Sequence, residues 1–347
     1  MSLALAMMAC GEDVGLLAAA AERAAEPEPP PAAPEPPPAG PGALPAESVE
    51  HLAEPCAMAP AEASRCDRYR VTCGGLEGRV VEVATYAGAG APRGAVMFGS
   101  GSAGAGFYDF QARETLTAAG FTVMERRWVT GWFQGATEGP PQGSCGLGAL
   151  LRHVRGALPP ALPLCATGNS GGSVELGYAL TWHGAGDALD FALPTSGPFH
   201  RLDLACQGES DPVWMDRCAE LKADLCPTCA SDICEVTGPR HYIDVSYDEV
   251  TRCTAPGPGD LATLRDDSPI YGPTLADLDG FRIGVLVGEL DPGAYLPLAA
   301  AFTAALLDAG ADVHFDTVAG AGHAMDDFEP GATAIADAVL SGCHRSL

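Results

Sequence analysis

Lysine is nearly missing from this chain. Lys222 is the only one in 347 residues, and 19 Lys+Arg stand against 45 Asp+Glu, for a formal charge of -26. Without a cationic stripe to neutralise phosphates, nucleic-acid binding is excluded, and an anionic membrane surface would repel the protein. Long apolar runs are missing too: no stretch reaches the roughly 18 residues that suggest a membrane-spanning helix. Charged residues make up 18% of the sequence, below the usual share of about 25%. The acidity therefore reflects a shortage of base. What is plentiful is apolar: 47% of the residues are hydrophobic, enough to bury a large core and to exclude global disorder. Thirteen cysteines are many for a reducing cytosol and point to an oxidising compartment.

Residues 26–46, EPEPPPAAPEPPPAGPGALPA, cannot build a regular ladder, because proline lacks an amide donor and fixes φ. A stiff, solvated spacer is expected over residues 11–55, with the folded domain over 56–347. Ahead of the spacer, the apolar run Leu3–Ala9 is short and has no basic flank, so residues 1–10 do not form a complete signal peptide. Their end, Met7-Met8-Ala9-Cys10, resembles a bacterial lipobox, in which the cysteine is lipidated. That resemblance makes Cys10 a candidate lipidation site and an anchor the only expected link to a membrane. Simple secretion and an unprocessed cytosolic chain remain the alternatives.

From Tyr69 onward, short β-branched or apolar runs alternate with Ala/Leu-rich stretches of helical length. This α/β pattern predicts a mostly parallel sheet covered by helices. Eight strands are expected: 69–73, 79–86, 95–100, 121–127, 162–167, 190–195, 282–288 and 312–318. The first two have no room for a helix between them and should pair as a hairpin. Helices are expected at 108–119, 146–156, 172–182, 297–310 and 332–341. Between 198 and 269 the alternation lapses into a Cys-, Asp- and Pro-containing insertion.

The strand 162–167 runs into Gly168-Asn169-Ser170-Gly171-Gly172 and then a helix. This is G-x-S-x-G in the strand–turn–helix setting that gives it meaning. The glycines allow strand and helix to approach closely around a strained serine. Ser170 then sits at a helix N-terminus, where the Gly171 amide can face a developing oxyanion. A serine hydroxyl needs a base, and the base needs an acid to hold its tautomer. Two later strands each end in a loop carrying one of these: Gly288-Glu289-Leu290-Asp291-Pro292 and Gly320-Ala321-Gly322-His323. Asp291 is the candidate acid, with Glu289 as its rival, and His323 is the candidate base.

With the order Ser170, Asp291, His323 in place, residues 69–343 resemble the α/β-hydrolase superfamily. The resemblance implies a catalytic triad of these three residues and an oxyanion hole. Gly171 would supply one amide, and Ser100, in Gly99-Ser100-Gly101-Ser102, the other, with Gly101 as an alternative. Phe98 stands where the superfamily usually has histidine. It also implies that the insertion at 198–269 acts as a lid. Trp128, Trp132 and Phe133, just past the fourth strand, are candidates for lining a substrate pocket.

Six cysteines (206, 218, 226, 229, 234 and 253) fall in the insertion. Setting Cys10 aside leaves twelve in the whole chain, an even number that disulfides could use up. Zinc is the rival for Cys226-Pro-Thr-Cys229, and Cys165, inside a strand, could be a buried free thiol. The expectation is an extracytoplasmic serine hydrolase cleaving small or polymeric carboxylic esters without cofactor or metal. A serine peptidase, an acyltransferase and a non-catalytic binding protein of the same fold are the alternatives. Nothing in the sequence sets the oligomeric state.

Overall fold

Where helices cover both faces of a strand, its residues must be apolar in both directions. In β4 (Gly94–Gly99) every residue is buried. Ala95 and Met97 join one hydrophobic cluster, and Val96 and Phe98 join another on the opposite face. The computed structural model describes residues 47–108, 110–197, 201–207, 239–248, 250–291 and 295–344. Among them β4 lies inside a nine-stranded sheet. The other strands are β1 (Ser48–Leu52), β2 (Arg65–Cys73), β3 (Leu76–Tyr86), β5 (Phe121–Trp128), β6 (Leu164–Asn169), β7 (Phe191–Thr195), β8 (Arg282–Gly288) and β9 (Asp312–Val318).

The order across the sheet is β1-β2-β3-β5-β4-β6-β7-β8-β9. The first three strands are antiparallel to their neighbours, and β5 through β9 run parallel. The helices are α1 (Ala112–Ala118), α2 (Pro140–Ala157), α3 (Gly171–His183), α4 (Leu202–Gln207), α5 (Pro239–Val245), α6 (Asp260–Asp266), α7 (Tyr295–Asp308) and α8 (Gly331–Gly342). Leu147, Leu150, Leu176, Leu180, Phe302 and Leu306, from α2, α3 and α7, fill the cluster on one face. Leu116, Ile335 and Val339, from α1 and α8, fill the other with Phe98, Phe110 and Phe121.

Several expectations need correction. The sheet has nine strands, not eight, because Ser48–Leu52 pairs with Arg68–Thr72. Ser48–Leu52, expected to lie in the spacer, is therefore part of the sheet. Only one residue of β1, Leu52, is buried, so no apolar run marks it as a strand. Helix α2 starts at Pro140 rather than Gly146, since proline fits a first helical turn whose amides have no partners. Gly146 seats the Trp128 indole: a Cβ there would come within 2.7 Å of that ring. Residues 1–46, including Cys10, and much of the insertion, including Cys218, Cys226, Cys229 and Cys234, lie outside the described residues.

The remaining eight cysteines form four disulfides: Cys56–Cys66, Cys73–Cys145, Cys165–Cys343 and Cys206–Cys253. Cys165 is thus not a free thiol; it ties β6 to the end of α8. No described helix is long and apolar enough to cross a membrane. The Cys165–Cys343 bridge spans 178 residues, so replacing both cysteines by alanine should lower unfolding stability by about 2–5 kcal/mol. Chemical denaturation of the unreduced protein checks this, and an unchanged midpoint would contradict it.

Candidate active site

The turn between β6 and α3 is tight and strained. Ser170 adopts φ 52° and ψ −118°, a region that non-glycine residues enter only under constraint. Its backbone is well held. The Ser170 amide donates to the Thr195 carbonyl at 3.0 Å, and its own carbonyl accepts from the Ser173 and Val174 amides. A Cβ on Gly171 would overlap the Ser102 carbonyl oxygen, and one on Gly172 would overlap that of Gly99. Only glycine lets the loop after β4 lie this close to the start of α3.

Two further loops converge on Ser170. His323, on the loop after β9, brings Nε2 to 2.8 Å from the Ser170 hydroxyl oxygen and Nδ1 to 2.9 Å from Asp291 Oδ1. A carboxylate only accepts, so Nδ1 carries the proton and Nε2 is left to accept from the serine hydroxyl. Asp291 is fully buried. Glu289, the rival acid, accepts from the Gly320 amide instead, at 2.7 Å. The Leu290 amide donates to the Ala321 carbonyl, which locks the two loops together.

The loop after β4 completes the cluster. Gly101 lies against Ser170: a Cβ there would sit 3.4 Å from that of Ser170. Ser100 is buried, and its hydroxyl donates to the Gly106 carbonyl. Gly171 opens α3 and so has no i−4 carbonyl to bond.

Of the three aromatic pocket candidates, Trp128 and Trp132 are built into supports. The Trp128 indole donates to Glu175 at 2.9 Å, and that of Trp132 to the Ser102 carbonyl at 3.3 Å. Trp128 fills the core between β5 and α2, which corrects the expectation that it lines a pocket. Phe133 is buried and packs against the Tyr242 ring, 5.3 Å between centroids.

Sequence reasoning missed the charges beneath the turn. Glu175, on the first turns of α3, is fully buried and pairs with Arg126 of β5 at 2.6 Å. Burial pushes the Glu175 carboxyl pKa up, while Arg126 and the Trp128 indole pull it down. The partners come from separate elements, so no local spacing announces them. Arg79 acts nearby through its donors to the Trp132, Gly143 and Gln134 carbonyls. Burial lowers its pKa to about 10.

No protein-family model and no curated protein matches this sequence. Solved structures do. A puromycin-hydrolysing peptidase of Mycobacterium tuberculosis superposes with TM-score 0.53 at 16% identity, over 80% of this chain and 39% of that one. A thermostable carboxyl esterase of Bacillus coagulans gives 0.51 at 18%, over 76% and 93%. The Pyrococcus horikoshii acylaminoacyl peptidase gives 0.54 at 12%, over 83% and 43%. The chain has the α/β-hydrolase fold. It spans well under half the length of either peptidase. On this α/β-hydrolase framework Ser170 follows β6, Asp291 follows β8 and His323 follows β9.

Asp326, three residues beyond His323, is buried, and its pKa is raised to about 7 by that burial and then by Asp327. A carboxyl whose pKa is higher folded than unfolded stabilises the fold below its unfolded pKa, near 4. That contribution is lost as pH rises through about 7. Asp326→Asn should therefore raise the melting temperature relative to the natural sequence at pH 8 more than at pH 5. Equal shifts at both pH values would rule this out.

Proposed function

We propose that this protein is a serine hydrolase of carboxylic esters, with Ser170, His323 and Asp291 as its triad. The observation that carries the reading is the unbroken hydrogen-bonded line from Ser170 Oγ through both nitrogens of His323 to buried Asp291. In this reading His323 Nε2 takes the Ser170 proton as Oγ attacks the ester carbonyl carbon. The carbonyl oxygen becomes an oxyanion held by the Gly171 and Ser100 amides, with Gly101 as the alternative second donor. Asp291 keeps the Nδ1–H tautomer in place and stabilises the imidazolium. When the tetrahedral intermediate collapses, the leaving alkoxide takes the proton from Nε2. Water, deprotonated in turn by His323, then cleaves the acyl-enzyme and restores Ser170. All the reacting groups come from the chain itself and the solvent.

The carboxyl esterase structure, matched over 93% of its own length and 76% of this chain, supports esters. A peptidase or acyltransferase on the same chemistry would show itself through its substrates. The proposal extends to an oxidising, extracytoplasmic setting. It is supported by the four disulfides, with Cys10 as the point where a lipid anchor would be attached.

A fluorophosphonate probe phosphonylates an activated serine and tests this directly. Labelling should occur in the natural sequence, vanish in Ser170→Ala, and slow by about 10³–10⁴ in Asp291→Asn, as expected for a wrong tautomer. Labelling that survives Ser170→Ala would defeat the proposal. p-Nitrophenyl esters of increasing acyl length, assayed beside peptide anilides, should show ester turnover exceeding amide turnover. The reverse preference would make the protein a peptidase.

A further inference from the structure

The loop that presents His323 is rich in glycine. It reads Gly320-Ala321-Gly322-His323, with Gly320 at φ 73° and open space around Gly322, where an added Cβ would meet nothing within 4 Å. Glycine backbone of this kind has a large conformational range. Yet the imidazole must satisfy two partners at once, at 2.8 and 2.9 Å. The hydrogen bonds of the ring fix its edge, but something has to fix the backbone from which it hangs.

Within the loop the His323 carbonyl accepts from the Met325 amide, and the tie from that carbonyl to the sheet comes from the variable residue of the serine motif. Asn169 is the last residue of β6, buried, and next to Ser170 in the chain. Its Nδ2 donates to the His323 carbonyl at 3.1 Å. A carbonyl only accepts, so the amide edge facing it must be the NH2 group, which settles the orientation of the side chain. The other edge agrees. Asn169 Oδ1 lies 2.9 Å from the Thr195 hydroxyl, which is fully buried on the neighbouring strand β7 and also lies 3.1 Å from the Gly168 carbonyl. Asn169 and Thr195 are direct partners in the parallel ladder, so this hydroxyl is as rigid as the sheet.

We propose that Asn169 is a positioning residue, which ties the backbone of the base His323 to the strand that carries the nucleophile, with Thr195 holding the amide in its donating orientation. The inference rests on the serine-hydrolase reading. Nucleophile and base-holder are consecutive residues, so the Ser170–His323 spacing is set through one peptide unit and one hydrogen bond. The long, glycine-containing path through β7, β8 and β9 need not define it.

The test is the time course of fluorophosphonate labelling in the full chain. Its first-order rate constant reports serine activation per folded site, whereas its amplitude reports how much protein is folded. Asn169→Ala and Asn169→Asp should label to the amplitude of the natural sequence with a rate constant lower by about 10- to 100-fold, the scale of a misplaced catalytic group. Thr195→Val, which keeps the side-chain shape and the backbone, should lie between them and the natural sequence. In Asn169→Asp the carboxylate would face the His323 carbonyl and add negative charge near the imidazole. Favouring the imidazolium, it should also move the acid limb of the rate–pH profile upward. Unchanged rate constants with reduced amplitudes would assign Asn169 to folding alone and overturn the clamp. So would natural rates in all three variants. If the natural sequence shows no Ser170-dependent labelling, the hydrolase reading fails first and the clamp falls with it.

Discussion

The constraint on which this molecule depends is the approach of three backbones around Ser170. The loop after β4, the end of β6 and the start of α3 lie so close that side chains at Gly171 and Gly172 would strike carbonyl oxygens. Holding Ser170 at φ 52° costs on the order of 1–3 kcal/mol, and the surroundings have to supply it. They do so by satisfying the backbone on both sides of the serine and by anchoring α3 through Glu175. The geometry of strain and the geometry of chemistry coincide here. A relaxed turn would draw Ser170 down into the strand and away from His323.

The scarcity of cations takes on a structural meaning in this setting. Three of the arginines are placed against buried carboxylates: Arg126 on Glu175, Arg127 on Glu82 and Arg113 on Glu125. Each of these glutamates is shut away from water, and a buried carboxylate left unpaired costs several kcal/mol. Arginines committed to the interior cannot offset the acids outside. The formal charge of -26 therefore describes the surface more than the core. Arg126 matters most, because the helix it anchors through Glu175 is the one that begins at the nucleophile.

Much of this could be read from the residues alone, and the limits of that reading are physical. The parallel strands were legible because burial on both faces leaves an apolar run with sharp ends. The loop bearing Asp291 was legible because it follows such an end, whereas β9, ahead of His323, is exposed on one face and half-buried on the other. β1 was not legible, since three of the five residues in Ser-Val-Glu-His-Leu are polar and the strand is recognised by its pairing with Arg68–Thr72. The partner of Cys165 lies 178 residues away, and nothing local reports a meeting at that range. Trp128 and Trp132 were visible as aromatics past a strand end, but not the direction of their rings. The x of G-x-S-x-G was passed over for a related reason: Asn169 takes its meaning from a carbonyl 154 residues further on.

The distribution of covalent and non-covalent ties follows a division of labour. Cys73–Cys145 joins β2 to α2, Cys165–Cys343 joins β6 to α8, and Cys206–Cys253 closes the two ends of the insertion. These staple the frame. The loops that carry Asp291 and His323 have no disulfide among the described residues and are held by hydrogen bonds: Leu290 to Ala321, Gly320 to Glu289, Asn169 to His323. Such bonds are worth about 1 kcal/mol each, enough to select one loop conformation but not enough to freeze it. A base that must pass a proton to and from a serine, a leaving group and a water benefits from that compliance.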